Sequence, residues 1–130
     1  MSKVPNDETI KRAVKQTRIS RIKACQSIAA MVAFGKTVSV AFVCRDEDHR
    51  RLINEYFATI WDEIPEWMKP ELMVRNTRQF KFAGGSLIRL VLRPDYLKGG
   101  TYDAVFTYGP ASDVATWLCR PDCTIAELLD

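Results

Sequence analysis

The sequence predicts an α/β protein with three layers, in which helices cover both faces of a mainly parallel sheet that includes one β-hairpin. Two strongly apolar segments, 37–44 and 101–109, have the composition of buried central strands. Segments with the apolar spacing of helices lie at 20–35 and 46–60. Strands that alternate with helices along the chain are typical of this fold class.

The chain has 130 residues, which suits one domain with a substantial core and is too short for two. We expect residues 1–130 to form that domain, with residues 1–7 as a flexible terminus. No apolar run approaches the roughly 20 residues that span a bilayer. The first residues also lack the apolar core of a signal peptide. A cytoplasmic location without membrane association is therefore expected.

Two helices and the first strand are the best-marked elements. Ser20 is a candidate N-cap and Gly35 a candidate stop for the first helix. Its expected buried stripe is Ile22, Cys25, Ile28, Ala29 and Val32. The second helix begins with acids at 46–48, where the helix dipole favours negative charge. Its expected buried stripe is His49, Leu52, Ile53, Tyr56, Phe57 and Ile60.

The remaining elements are shorter. Residues 8–16 fit a short helix or a strand, and the pattern does not distinguish the two. Residues 72–75 predict a short strand, and 111–118 a short helix after Pro110. Residues 124–129 predict one or two helical turns.

A β-hairpin is expected around Ala83-Gly84-Gly85. A two-residue turn would place Phe80 opposite Arg89 and mix apolar with charged side chains on both faces. We favour a three-residue loop with Gly at positive φ, which pairs Phe80 with Leu90. In that register Lys81 lies opposite Arg89, and like charges at such positions are destabilising unless solvent or an anion relieves them.

The charge of the chain is unevenly distributed, although its net value is only +3. Residues 1–35 and 69–98 each carry +5, whereas residues 36–68 carry −3 and residues 99–130 carry −4. Such basic blocks favour an anion-binding face, with a phosphate backbone or an acidic protein patch as the ligand. The alternative is that the blocks interleave in the fold and neutralise each other.

Histidine and cysteine give little sign of chemistry. His49 is the only histidine and begins an apolar helical stripe, so a packed side chain is favoured over a catalytic base. Cys25 and Cys44 lie in apolar segments, where a thiol behaves as a small hydrophobic side chain. Cys119 and Cys123 are four residues apart, but a zinc site would need two further ligands. Reduced structural thiols and no metal are expected.

The order of motifs resembles the N-terminal half of the ATPase domain of phage terminase large subunits and, more loosely, helicase-type P-loop motors. The matching segments are KQTRIS at 15–20, then a helix, TVSVAFVCRDEDHRRLINEYF at 37–57, GGSLIRLVL at 84–92 and YLKGGTYDAVFTYGP at 96–110. In that family these positions hold a phosphate-binding loop, a strand and helix, a small strand pair with a Gly-Ser turn, and a strand that ends in Asp-Glu. The resemblance covers roughly 14–115 and implies a P-loop-NTPase-like half domain.

The chain departs from that family where the chemistry resides. The phosphate loop has Arg18-Ile19 in place of Gly-Lys, and only the Ser20 hydroxyl remains. Ile19 cannot neutralise phosphate charge. Tyr108 and Gly109 replace the acids that would hold Mg²⁺ and polarise water. The resemblance therefore implies a degenerate, truncated pseudo-ATPase that is not an enzyme and needs no cofactor.

We expect a non-catalytic domain, encoded by a phage or mobile element, that binds nucleic acid or a nucleic-acid-handling assembly such as one for packaging or replication. The expected contacts to phosphate or to an acidic partner are Arg18, Arg21, Lys23, Lys81, Arg89, Arg93 and Lys98. Arg75 and Arg78 lie close to these residues in the sequence. Tyr96 is a candidate for stacking. The alternative is a protein-interaction module, an inhibitor or adaptor that docks on an ATPase or on a second copy of itself through Trp61 and Trp67.

Overall fold

The computed structural model describes residues 18–118, 120 and 122–130. Seven strands form one sheet in the order β1-β7-β6-β2-β5-β4-β3. The strands are β1 (Arg18–Ile19), β2 (Ser39–Val43), β3 (Leu72–Arg75), β4 (Gln79–Phe82), β5 (Leu87–Val91), β6 (Ala104–Thr107) and β7 (Thr124–Leu128). In the spatial order of the sheet, the first five strands, β1 to β5 by way of β7, β6 and β2, are parallel to one another. β4 is antiparallel to both of its neighbours, β5 and β3.

The helices form layers on both faces of the sheet. They are α1 (Arg21–Ala33), α2 (Glu47–Glu63) and the short α3 (Ala111–Ala115), with 3₁₀ turns at Glu66–Met68 and Pro94–Leu97. The larger core lies beneath α1 and α2 and is built around Phe42, Phe57 and Phe80. A smaller core beneath α3 contains Leu97 and Tyr102. The predicted three-layer α/β class with a mainly parallel sheet and a hairpin is confirmed, and it is consistent with a P-loop-like half domain.

The strand at the centre of the sheet and the two long helices follow the sequence prediction. β2 is buried on both faces between β5 and β6. α1 is capped by Ser20, whose side chain accepts a hydrogen bond from Lys23 N–H at 3.2 Å. Gly35 follows the helix with φ of 85°, a conformation that glycine adopts without strain. The stripe prediction is wrong for Ile22 and Leu52, which are 40% and 39% exposed.

Residues 124–128 form strand β7, so the predicted helical turns at this end of the chain are wrong. β7 lies between β1 and β6 and pairs with both in parallel. Its alternating side chains serve both layers, because Ile125 packs in the α3 core and Ala126 in the α1–α2 core. Burial on two faces together with backbone pairing on two sides outweighs the local helix propensity of Ala, Glu and Leu.

The predicted register of the β4–β5 hairpin is wrong by two residues. Phe80 pairs with Ile88 and Lys81 with Leu87, so Lys81 is not opposite Arg89. The loop is the expected Ala83–Gly85, with φ of 96° at Gly84 and 100° at Gly85, and Phe82 N–H donates to Ser86 O at 3.0 Å. Because a shift of two residues preserves alternation, the apolar and polar faces are still those predicted.

Other local predictions have mixed outcomes. The strand at 72–75 is confirmed as β3, but α3 ends at Ala115, before the expected Leu118. The expectations for residues 1–7, for residues 8–16, for Lys15 to Thr17 of the phosphate-loop segment and for Cys119 fall outside the described residues. Within the described part of the chain, no helix is long and apolar enough to cross a membrane.

Candidate anion-binding groove at the carboxyl edge of the sheet

The carboxyl ends of the parallel strands lie along one edge of the sheet, where α/β proteins usually bind their ligands. Three places on this edge correspond to sequence predictions. They are the β1–α1 junction, the end of β6, and the end of β5, where a groove opens.

At the β1–α1 junction, Ser20 is the only residue between strand and helix, so no loop is available to wrap around a phosphate. Arg21 N–H at the start of α1 donates to Asp130 Oδ1 at 2.8 Å. A carboxylate of the chain itself therefore occupies the position where the helix dipole favours an anion.

Two of the three basic side chains predicted at this junction contact other side chains of the fold. Arg18 Nε lies 3.8 Å from Glu127 Oε1. The Arg21 guanidinium stacks on the Tyr56 ring at 5.2 Å from its centroid. Lys23 is exposed on α1 and is not near the groove at the end of β5.

At the end of β6, the Tyr108 ring packs edge-on against the His49 ring, with centroids 5.7 Å apart. The Arg45 guanidinium lies 5.6 Å from the centroid of the same Tyr108 ring. His49 is fully buried, which agrees with the prediction of a packed histidine. Tyr108 at the end of β6 is therefore part of a packed aromatic and cationic stack.

The hydrogen bonds of His49 fix its tautomer. Nδ1 accepts from Arg45 N–H at 2.9 Å, so Nε2 carries the proton and donates to Asp130 O at 3.1 Å. Burial is the main cause that lowers the pKa of His49 below its usual 6.5. The neutral imidazole is thus a link between the end of β2, the start of α2 and the end of β7.

The carboxylates along this part of the edge hold backbone donors in place. Asp46 Oδ1 accepts from His49 N–H at 2.9 Å, and this bond is the main cause that lowers the pKa of Asp46. Glu127 Oε2 accepts from Ala111 N–H at 2.9 Å. Together with Asp130 on Arg21 N–H, these acids cap helices and stabilise the ends of strands.

A groove of about 590 Å³ opens at the end of β5, and its charged lining is mainly basic. Three arginines, Arg50, Arg78 and Arg89, line it together with a single acid, Glu47. They come from the first turns of α2, the β3–β4 turn and the middle of β5. The fold therefore gathers guanidinium groups from three separate elements into one concave surface.

Two of these arginines have no carboxylate partner within the described residues. Arg50 donates through Nε to Glu47 Oε1 at 3.2 Å, and its side chain is only 11% exposed. Arg89 Nη1 donates to neutral oxygens, Tyr102 Oη at 2.6 Å and Tyr96 O at 3.3 Å. Neither Arg78 nor Arg89 forms an ion pair in the part of the chain that the structure describes. Their positive charge is left to attract an anion.

The backbone that carries Arg78 is firmly held. Asn76 Oδ1 accepts from Arg78 N–H at 2.9 Å and from Gln79 N–H at 3.0 Å. Asn54 of α2 donates to Asn76 O at 2.8 Å, and Leu90 N–H donates to Arg78 O at 2.8 Å. The turn is thereby anchored to α2 and to β5, which fixes where the Arg78 side chain starts.

Tyr96 completes the groove with an exposed aromatic ring. It lies in the 3₁₀ turn Pro94–Leu97 and is 52% exposed. The Arg93 guanidinium lies 5.5 Å from the ring centroid and also makes two bonds of 3.0 Å to the carboxylate of Asp95. An aromatic ring beside unpaired guanidinium groups is the arrangement that nucleotide-binding surfaces use.

The structure brings together only part of the predicted basic set. Arg89 and Tyr96 line the groove, and Arg93 contacts Tyr96. Lys81 and Lys98 are exposed but do not line the groove. The predicted set did not include Arg50, because the helical pattern of α2 places it only on the polar side of that helix. It did not include Arg78 either, although Arg78 lies close to the predicted residues in the sequence.

The two tryptophans predicted as interface residues behave differently. Trp61 is only 2% exposed and packs on Phe82 with ring centroids 4.8 Å apart, so its candidacy for an interface is wrong. Lys69 covers it, with Nζ 2.7 Å from Trp61 O. Trp67 is 85% exposed and remains available for contact.

The thiols and acids give no metal site in the described residues. Cys25 and Cys44 are buried and free, and burial raises the pKa of both thiols to about 12. No group of three or more His, Cys, Asp or Glu side chains is placed to hold a metal ion in residues 18–118, 120 and 122–130. No protein-family model matches the sequence, and no curated protein matches it.

Proposed function

We propose that this protein is a non-catalytic domain that binds nucleic acid by its phosphates in the groove at the end of β5. The observation that carries the proposal is the pair of arginines, Arg78 and Arg89, that line the groove without a carboxylate partner in the described residues. Guanidinium groups are well suited to phosphate because of their planar, bidentate geometry.

The absence of catalysis is part of the same proposal. Asp46, Glu127 and Asp130 lie on the carboxyl edge but each accepts a backbone N–H of the fold. Tyr108 provides no carboxylate for Mg²⁺, and a carboxylate of the chain already binds the start of α1. These features favour a pseudo-ATPase that resembles a terminase or helicase motor. We further propose that it is encoded by a phage and acts in the host cytoplasm.

The proposal is tested by fluorescence anisotropy with a labelled oligonucleotide between about 50 and about 200 mM salt. We expect affinity to fall steeply with salt, and the slope to become shallower in Arg78→Gln because one phosphate contact is lost. Lys23→Gln is the matched control, since it removes one positive charge that does not line the groove. Binding that is absent at low salt, or that Lys23→Gln weakens as much as Arg78→Gln, contradicts the proposal.

A second candidate is a protein-interaction module, and the outer edge of the sheet favours it. β3 is an edge strand of the sheet, and three of its four residues are exposed. Met73 on this strand is 64% exposed, and Trp67 lies five residues before the strand begins. Open edges of this kind pair with other chains unless they are protected.

Two measurements test this second candidate. Light scattering detects association between copies of the chain, and co-purification from cells detects another partner. A Met73→Lys variant should weaken either association.

A further inference from the structure

We infer that the groove binds a single-stranded nucleic acid, with a base stacked on Tyr96 and the flanking phosphates at Arg78 and Arg89. This inference rests on the proposed function and makes it more specific. It depends on three properties of the groove: its size, the exposure and support of Tyr96, and the bonds that orient the Arg89 guanidinium.

The size of the groove favours one strand over two. Its volume of about 590 Å³ is that of a site for a small organic ligand, which corresponds to one or two nucleotides. The bases of a duplex are paired and stacked inside the helix, so an aromatic side chain in a small concave site cannot reach their faces. Unpaired bases can be splayed out and stacked on aromatic side chains.

Tyr96 is presented by a rigid turn. Leu97 beside it is fully buried and anchors the turn in the α3 core. Tyr96 N–H donates to Arg93 O at 3.2 Å, and Lys98 N–H donates to Asp95 O at 3.2 Å. The backbone is therefore already ordered, and a stacked base restricts only the side-chain torsions of Tyr96. The Arg93 guanidinium near the ring adds a cation–π contribution.

Arg89, one of the two phosphate-binding residues, is bonded directly to the turn that carries Tyr96. Its Nη1 donates to the Tyr96 carbonyl oxygen, and to the hydroxyl of Tyr102, which is 3% exposed. These two bonds orient one side of the guanidinium and leave its other donors for a ligand. Arg78 lies in the β3–β4 turn, where its carbonyl oxygen accepts from Leu90 N–H of β5 at 2.8 Å, and both arginines line the groove at the end of β5.

The test compares an oligothymidylate of about ten nucleotides with a duplex of the same length, both labelled, at one salt concentration. The proteins are the wild type, Tyr96→Ala, Tyr96→Phe and the control Phe34→Ala, which removes another exposed ring. We expect the single strand to bind at least about tenfold more tightly than the duplex. Tyr96→Ala should weaken single-strand binding by about tenfold, because stacking on one base is of this magnitude. Tyr96→Phe keeps the stacking ring and should recover most of the affinity that Tyr96→Ala loses. Phe34→Ala should bind as the wild type does.

The outcomes separate this inference from the proposed function. If both nucleic acids bind equally and Tyr96→Ala has no effect, the single-strand inference is wrong while phosphate binding stands. If neither binds at low salt, the proposed function is wrong as well. A mononucleotide that competes as strongly as the strand, at equal nucleotide concentration, would show a nucleotide site and overturn the inference. Unchanged thermal unfolding of Tyr96→Ala confirms that any loss is one of binding.

Discussion

His49 shows how a residue that suggests catalysis is explained by its bonds. Both ring nitrogens are used, one by Arg45 N–H and the other by Asp130 O. The ring is fully buried against Tyr108. A proton on Nδ1 would oppose the bond from Arg45 N–H and place a charge in a desolvated site. The fold therefore requires neutral His49.

This requirement predicts a loss of stability in mild acid. The pKa of His49 is lowered in the folded state, so below about pH 6.5 the unfolded chain binds a proton that the folded chain does not. The free energy of unfolding should be unaffected by this group above pH 6.5. It should fall as the pH decreases below that value, by at most about 1.4 kcal/mol per pH unit. Urea denaturation between pH 5 and pH 7.5 measures the slope.

The control for this prediction is His49→Gln. Glutamine keeps an N–H donor for Asp130 O but does not titrate, so the variant should be less stable overall and flatter in this pH range. Asp46 does not confuse the result, because its pKa is lowered and it titrates in stronger acid. A slope in His49→Gln equal to that of the wild type would contradict this account.

Trp61 and Trp67 show at the residue scale what local sequence does not contain. Both flank Pro65 and have similar apolar neighbours, so the sequence treats them alike. Trp61 is buried because Phe57 on its own helix and Phe82 on β4 enclose it. Phe82 lies about twenty residues later in the chain, and its position depends on the hairpin register. The burial of Trp61 therefore depends on packing against a residue that is distant in the sequence, and a local sequence pattern cannot predict such packing.

At the scale of elements, β2, α1 and α2 were predictable because each carries a complete local pattern. β2 is apolar on both faces, α1 has a serine cap and a glycine stop, and α2 has an acidic first turn with a buried stripe. The hairpin loop was also predictable from Ala83–Gly85. The register follows from that loop, because three loop residues place Phe82 opposite Ser86 and Phe80 opposite Ile88. The predicted pairing of Phe80 with Leu90 did not match the loop length, and the alternation of faces could not reveal this because a shift of two residues preserves it. The groove depends on that register and was only partly predictable.

β7 was missed because its evidence lies in its neighbours. Its five residues are compatible with a helical turn, and only the space between β1 and β6 makes a strand favourable. We expect Ala126→Asp, at a position 1% exposed, to destabilise the protein by about 3–5 kcal/mol, because it buries an unpaired charge. Leu129→Asp, at a position 64% exposed in the same segment, should change stability by about 0.5 kcal/mol or less. Urea midpoints distinguish the two variants.

The same pair of variants tests the strand assignment against a surface helical turn. A turn on the surface would tolerate both substitutions similarly, because neither position would lie between sheet and helix. Equal midpoints for Ala126→Asp and Leu129→Asp would therefore be incompatible with β7 in the interior of the sheet. Protection of the 124–128 amides from hydrogen exchange gives an independent check.

At the scale of the whole molecule, the charge blocks of the sequence are arranged in two ways. At the β1 edge they interleave, since Glu127 of the last acidic block lies beside Arg18 of the first basic block. Among the residues that line the groove at the end of β5, the single acid is Glu47, which pairs with Arg50. Arg78 and Arg89 of the basic block at 69–98 have no acidic partner in the described residues. Positive charge is thus partly neutralised at the β1 edge and is retained in the groove.

This arrangement predicts which ligand stabilises the fold. A ligand that binds only the folded state at about 100 times its Kd adds about 2.7 kcal/mol, which corresponds to a rise in Tm of about 10 °C for a domain of this size. We expect an oligothymidylate to raise Tm by this amount at low salt. Mg²⁺ with ATP should leave Tm unchanged, because Asp130 occupies the start of α1 and Tyr108 supplies no Mg²⁺ ligand. Differential scanning fluorimetry measures both.

The variant Asp130→Asn tests the physical reason. It should lower Tm because it weakens the cap on Arg21 N–H, and it should not create a response to Mg²⁺-ATP. A rise in Tm with Mg²⁺-ATP that matches the rise with oligonucleotide, and that persists in Arg78→Gln, would show that nucleotide binds outside the groove. It would contradict the proposal that the phosphate-binding loop has lost its function.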